Sequence, residues 1–250
     1  MTQADFVVVA NRLPVDRDDE GGWRHSPGGL VTALEPVMRK RDGAWVGWPG
    51  KADLELDPLE VDGIFIVPVA LSAAEVENYY EGFSNDTIWP LYHDVIAAPR
   101  YKRIWWDTYV AVNRRFAKAA ADVAAPGATV WVQDYQLQLV PALLRELRPD
   151  LTIGYFHHIP FPAYGIFAQL PWRRQVLEGL LGADVIGFQR VQDAGNFTNA
   201  VRRQLGFETK SGAIRVVADD GSVRTAVAKA YPISIDTQLY DEIARRPEVQ

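Results

Sequence analysis

Cysteine is absent from the 250 residues. Without a thiol there is no disulfide framework, no thiolate nucleophile and no Cys-based zinc site. Positive charge is also in short supply. Lys and Arg total 26 against 32 Asp and Glu, a net charge of −6, so the bulk field favours neither nucleic acid nor an anionic membrane. No apolar run is long enough to span a bilayer, and the N-terminal stretch has no basic segment followed by an apolar run and a cleavage site. A soluble, cytoplasmic protein with no membrane partner is expected. No Gly-x-Gly-x-x-Gly follows the first apolar strand, which disfavours a nicotinamide enzyme. His25 and His93 lack ligand spacing, so neither a metal nor another cofactor is expected. Internal repeats and low-complexity tracts are missing too.

What is present is ordinary globular usage, 48% hydrophobic and 23% charged, on a chain long enough for a sizeable core. Eight Trp, ten Tyr and ten Phe make 11% of the residues aromatic. Most of these suit a large core. Aromatics beside Gly, Pro or charged residues also suit sugar binding, where a ring face covers a pyranose and polar neighbours take its hydroxyls.

Short β-branched runs alternate with amphipathic segments. Residues 6–10, 44–48, 64–69, 129–132, 153–156 and 184–188 read as strands. Helical spacing runs through 30–40, where Pro36 would kink the pattern, and through 105–123, ended by Pro126-Gly127. Further helices are expected over 137–147 with Pro141 in the first turn, over 170–181, around Phe197, Val201 and Leu205, and from Asp236 or Thr237. Ser72 with Glu75 forms a capping box for another. Residues 16–27 and 51–62 read as loops. Residues 214–218 and 223–230 flank Asp219-Asp220-Gly221-Ser222 and read as an antiparallel hairpin. The alternation predicts an α/β, Rossmann-like, largely parallel doubly wound sheet.

Polar residues gather where the strands end. Asp134 and His158 lie one helix-plus-strand step apart, so both reach the carboxyl edge where ligands bind in open α/β sheets. Asp134 serves equally as a helix cap, and the two roles are compatible. His157 and His158 are adjacent in an extended segment, so only one of them faces the crevice. Arg12 follows the first strand at the same edge. It is either a surface ion pair or a phosphate ligand, for which its planar fork suits it. Gly28-Gly29 before a helix is either a simple turn or a loop whose N–H groups approach a diphosphate. Tyr80 and Trp89 flank Phe83-Ser84-Asn85 as either a core helix end or a wall of a sugar-phosphate pocket.

Taken together, V-V-A-N-R-L-P (8–14), G-G-L (28–30), V-G-W-P-G (46–50), Y-Y-E-G-F-S-N (79–85), I-W-P (88–90), W-V-Q-D-Y-Q-L (131–137), H-I-P-F-P (158–162), I-G-F-Q (186–189) and Y-P-I-S-I-D (231–236) resemble the trehalose-6-phosphate synthases. These are retaining nucleotide-sugar glycosyltransferases of the two-Rossmann-domain (GT-B) type. The resemblance implies that Arg12 and Tyr80 hold the phosphate of glucose 6-phosphate, and that Trp48 and Trp89 wall the acceptor pocket. It implies that Asp134 bonds acceptor hydroxyls near the reacting centre. His158 would contact the donor glucosyl unit, and Gly28 and Gly29 would approach the donor diphosphate. Gln133 and Gln136 stand where the family often has His, and His157 where it often has Leu. Gln keeps hydrogen bonding but does not titrate near neutrality.

The resemblance further implies that residues 1–235 form the N-terminal acceptor-binding domain. Residues 236–250 would begin a linker toward an absent nucleotide-sugar domain, so this chain alone is expected to be incomplete. The implied reaction transfers glucose from UDP-, GDP- or ADP-glucose to glucose 6-phosphate with retention. The acceptor attacks on the leaving group's own face, and Asp134 and His158 position and stabilise rather than attack. A homo-oligomer of the longer enzyme is left open. Rival readings are a sugar-phosphate-binding module without catalysis and a related glycosyltransferase with another phosphorylated or cyclitol acceptor. A glycoside hydrolase would need a second carboxylate facing Asp134.

Overall fold

The computed structural model describes residues 3–17, 22–26, 31, 34, 37–38, 41, 43–218, 220–233 and 237–246. Strand β1 (Ala4–Arg12) is the axis of the sheet. Its Val7, Val8 and Val9 are fully buried, as suits β-branched residues in a central strand covered on both sides. Side chains alternate across it. Val7 and Val9 join the larger core, whereas Phe6, Val8 and Ala10 join a smaller one with Val31, Leu34, Trp45 and Ile66.

The other strands are β2 (Val15–Arg17), β3 (Trp23–His25), β4 (Ala44–Trp48), β5 (Leu59–Val61), β6 (Ile64–Pro68), β7 (Ala124–Gln133), β8 (Thr152–His157), β9 (Val185–Phe188), β10 (Thr209–Lys210), β11 (Ala213–Val217) and β12 (Val223–Ala230). Ten of them form one sheet in the order β10-β11-β12-β9-β8-β7-β1-β4-β6-β5. All pairings from β12 to β6 are parallel, and the antiparallel pairings, β10–β11, β11–β12 and β5–β6, lie at the two edges, where β11 and β5 run against the rest. The chain builds outward from β1 first through β4 and β6, then through β7, β8, β9 and β12. The order therefore reverses between β1 and β7, which is the topological switch point where doubly wound sheets open a crevice.

The long helix α1 (Arg103–Val123) buries Tyr109, Val112, Phe116, Ala120 and Val123, the stripe read from the sequence. Helices α2 (Val140–Leu147), α3 (Arg173–Leu180), α4 (Val191–Leu205) and α5 (Thr237–Ala244) follow the later expectations, with Pro141 in the first turn of α2. The Ser72–Glu75 capping box is present: Ser72 N–H donates to Glu75 Oε2 at 2.9 Å, and Glu75 N–H to Ser72 Oγ at 3.3 Å. Among the described residues no helix is long and apolar enough to cross a membrane.

Several expectations need correction. The antiparallel pairing of 214–218 with 223–230 is present as β11 and β12, but β12 also lies parallel to β9 and so extends the main sheet, leaving β11 rather than the whole hairpin as the antiparallel addition. Residues 51–62 are not all loop, since β5 pairs with β6, and residues 16–27 contain the β2–β3 hairpin. Pro126-Gly127 does not end the preceding helix. α1 stops at Val123 and β7 starts at the next residue. Arg148 spans the junction, donating to the carbonyls of Ala121 in the last helical turn and of Ala124 and Ala125 at the start of β7, at 3.0–3.1 Å. The capped turn Ala73–Glu75 continues as a π-helix, Val76–Ile88, in which Trp89 N–H reaches back five residues to Ser84 O. In the segment 30–40, Val31, Leu34, Val37 and Met38 are helical; Met38 is buried and Val37 half exposed, so the inward stripe is Val31–Leu34–Met38. Pro36, Gly28, Gly29 and Asp236 lie outside the described residues.

Candidate active-site cleft

A cleft of about 430 Å³ opens at the β1/β7 switch point. Its polar lining comes from Asn11 and Arg12 at the end of β1, Asp16 of β2, Ser26 after β3, Tyr80 of the π-helix, Gln133 at the end of β7, and Asp134 and Gln136 just after it. Three of the residues singled out from sequence, Arg12, Tyr80 and Asp134, thus meet in one space.

The Arg12 side chain pairs with Asp16 at 3.0 Å and stands over the Trp48 ring at 5.3 Å. Trp48 in turn packs on Tyr80 at 5.8 Å between ring centroids. Trp48 is buried, with its indole N–H donating to Lys51 O at 3.2 Å, so it supports Arg12 and Tyr80 from behind rather than lining the cleft itself. Two glycines of the 46–50 motif keep this packing. A Cβ on Gly50, which has φ +86°, would run into the Arg12 guanidinium, and one on Gly47 would meet the Arg12 backbone at 2.8 Å. Trp89 is not among the described residues lining the cleft. It begins the turn Trp89–Tyr92, is about 43% exposed, and stacks on His93 at 4.1 Å.

Asp134 is held at φ +69°, ψ +172°, a conformation other residues avoid and glycine tolerates, at a cost of about 1–3 kcal/mol. Its N–H donates to Phe156 O at 2.8 Å and its C=O accepts from Leu137 N–H at 3.1 Å. This turn re-aims the chain. Consecutive strand residues point to opposite faces, yet Gln133 and Asp134 both line the cleft. The carboxylate is not a helix cap. Its Oδ1 accepts the backbone N–H of His158 at 3.2 Å, so the ends of β7 and β8 are tied together. Burial raises the Asp134 carboxyl to about 6, although the N–H groups of Tyr135 and His158 pull it down.

The two histidines part as expected from an extended segment. His157 is fully buried between Tyr92, Phe161 and Phe188, with its Nδ1 hydrogen-bonded to Tyr155 OH at 3.0 Å, and burial lowers it to about 3. His158 is half-buried, its Nε2 3.0 Å from Gln133 Oε1, and burial lowers it to about 4. Both imidazoles are therefore neutral at pH 7. Asn11, Asp16, Ser26 and Gln133 were not among the sequence candidates. Asn11 accepts from Tyr79 OH at 2.8 Å and so anchors the π-helix beside the cleft. The signal for Gln133 was its place at a strand end, next to Asp134. Among the described residues no three His, Asp or Glu converge as a metal-binding group. The cleft lining offers a planar cation from Arg12, a carboxylate from Asp134 and amides, with the His158 imidazole held against Gln133. That set can hold an anion and several hydroxyls at once.

A doubly wound, mostly parallel sheet with such a cleft at its switch point defines a Rossmann-like domain of the GT-B glycosyltransferase type. The model of Glycosyltransferase family 20 matches residues 4–250, and the chain belongs to that family. A trehalose-6-phosphate synthase from Mycolicibacterium gilvum is 58% identical over 97% of this chain and 51% of its own length. Among solved structures, a trehalose-6-phosphate synthase from E. coli bound with UDP-2-fluoro glucose superposes with a TM-score of 0.82 at 28% identity, over 97% of this chain and 51% of that one. A UDP-forming α,α-trehalose-phosphate synthase from Burkholderia xenovorans in complex with glucose-6-phosphate has a TM-score of 0.80 at 28% identity, over 98% of this chain and 54% of that one. The chain spans about half the length of the curated relatives it matches.

Proposed function

We propose that this chain is the acceptor-binding half of an α,α-trehalose-phosphate synthase. The whole enzyme would transfer glucose from a nucleotide-glucose to the anomeric hydroxyl of glucose 6-phosphate with retention, giving trehalose 6-phosphate and a nucleoside diphosphate. Residues 1–235 are the acceptor-binding domain and 236–250 begin the linker toward a nucleotide-sugar domain. A UDP-glucose donor is favoured by the analogue bound to the E. coli relative. The compartment that supplies both substrates, and so the proposed location, is the cytoplasm.

The observation that carries this reading is the meeting of Arg12, Tyr80 and Asp134 in one cleft at the switch point. Arg12 and Tyr80 take the phosphate, with Trp48 behind them, and Trp89 closes the outer wall when the acceptor is bound. Asp134 orients acceptor hydroxyls, His158 faces the donor glucosyl unit, and Gly28 and Gly29 approach the donor diphosphate. In the transfer, the acceptor hydroxyl attacks the anomeric carbon from the leaving group's face. The C–O bond to the diphosphate breaks, and the departing phosphate oxygen accepts the hydroxyl proton. Asp134 and His158 position the partners and stabilise the oxocarbenium-like centre.

A structure of the chain soaked with glucose 6-phosphate tests the assignment. Phosphate on Arg12 with sugar hydroxyls toward Asp134 is the expected result. Sugar bound elsewhere, or bound in the reverse sense, refutes it.

A further inference from the structure

Gln133 stands out in the cleft wall because it is 1% exposed and only half satisfied. Its Oε1 is 3.0 Å from His158 Nε2, whereas its Nε2 is buried with no hydrogen-bond partner. An unpartnered buried donor costs about 1–3 kcal/mol, so natural proteins keep few without a reason. Here the donor belongs to a residue that lines the proposed acceptor cleft, and the Ser26 Oγ on the same lining is also without a partner.

We propose that Gln133 is a positioning and specificity residue that acts through both ends of its amide. Oε1 accepts the Nε2 proton of His158 and so fixes the ring as the Nε2–H tautomer, leaving Nδ1 as a lone-pair acceptor for a sugar hydroxyl. The amide N–H₂ donates to a hydroxyl of the acceptor sugar, a partner that no protein group provides. Asp134 completes the lock by holding the His158 backbone N–H, so neighbouring residues of one strand end fix the backbone and the ring of the same histidine. A histidine at position 133 would offer a single nitrogen to each side and would titrate; glutamine provides a permanent acceptor and a permanent donor. The depressed basicity of His158 agrees with a ring that stays neutral in this lock. The hydroxyl-binding half rests on the reading that glucose 6-phosphate occupies the cleft.

Two measurements on the 250-residue chain test the proposal. Nitrogen-15 NMR of the imidazoles is expected to report His158 as the Nε2–H tautomer in the wild type and as a mixture in Gln133→Leu. Gln133→Glu keeps the acceptor, so it is expected to hold the Nε2 proton while losing the donor. An Nδ1–H tautomer in the wild type, or an unchanged spectrum in Gln133→Leu, overturns the imidazole half.

Calorimetric titration with glucose 6-phosphate and its monodeoxy analogues tests the other half. Wild type is expected to bind one deoxy analogue about tenfold or more weaker than the parent, whereas Gln133→Leu and Gln133→Glu bind that analogue and the parent alike. Retention of the full discrimination by both variants overturns the specificity claim while leaving the acceptor reading intact. Absence of glucose 6-phosphate binding to wild type overturns that reading and the hydroxyl-binding half with it, and the tautomer measurement still decides the imidazole half.

Discussion

Asp134 concentrates several costs in one residue: a left-handed backbone, a buried carboxyl raised to about 6, and a turn that puts two neighbouring side chains into one cleft. Strain of this kind persists where the surroundings over-determine it, often at working sites. Asp134→Gly and Asp134→Ala both delete the carboxylate, but only Ala keeps a Cβ at φ +69°. Denaturant unfolding is therefore expected to show the Gly variant about 1–2 kcal/mol more stable than the Ala variant. Equal midpoints would mean that the backbone is not strained in solution.

His157 leads to a pH prediction. Its folded pKa is about 3 against an ordinary value of 6.5, so the unfolded chain binds more protons between these limits. Stability then rises with pH from about 3 to 6.5. His158 adds to the slope between about 4 and 6.5, and Asp134 opposes it between about 4 and 6 because its folded pKa is raised. His157→Leu is expected to flatten the rise, so that the variant's gain over wild type grows steadily as the pH falls from about 6.5 toward 3. Melting temperatures across that range check this; parallel curves would contradict it. At this scale the sequence was legible where a side chain's chemistry alone set its place. Arg12, Tyr80 and Asp134 share the cleft, and only one of the two adjacent histidines is accessible. The role of Gln133 depends on a partner from the next strand and on the turn at Asp134, neither of which periodicity records.

Among the elements, the junction between α1 and β7 shows a boundary whose place, Val123, was read from the sequence while its cause was not. The Tyr109–Phe116–Val123 stripe marked the helix correctly, but its stop is set by Arg148, a distant residue in sequence that takes three carbonyls of the junction. Asp150 holds the following turn by accepting Gly127 N–H at 2.8 Å and pairing with Arg148. Arg148→Ala is expected to cost about 1–3 kcal/mol through carbonyls left unpaired, and Arg148→Lys most of that, since an ammonium cannot span the same set. Chemical denaturation measures both, and a change within about 0.5 kcal/mol would show that water replaces the guanidinium.

The π-helix Val76–Ile88 was equally hidden. Its capping box announced a helix start, but nothing local specifies the wider turn. That turn lets Tyr79 enter the core and bond Asn11 while Tyr80, the next residue, reaches Trp48 and the cleft. The central strands β1, β4, β7, β8 and β9 were read because each is a short, largely buried apolar run. The β11–β12 pairing was legible because the two strands are neighbours in sequence, whereas the parallel pairing of β12 with the distant β9 was not.

In the molecule as a whole, the sheet order does the functional work. Building outward from β1 in both directions leaves a gap at the β1/β7 switch point, and the polar strand ends of β1 and β7 line the cleft there, with His158 after β8 held against them. Alternating strands and helices predict this architecture from the sequence, and family membership agrees with it. The shape of the cleft follows from the twist and packing of the whole sheet, so it was readable only as an edge, not as a list of neighbours.

Sugar-phosphate binding in this cleft, with the anion at Arg12, is the proposal on which the proposed function stands or falls. Calorimetric titration of the 250-residue chain with glucose 6-phosphate tests it most directly, comparing wild type with Arg12→Ala. Saturable one-site binding by wild type, weakened about tenfold or more in the variant, is the predicted result. Equal affinity in the two proteins, or no binding to wild type, would contradict it.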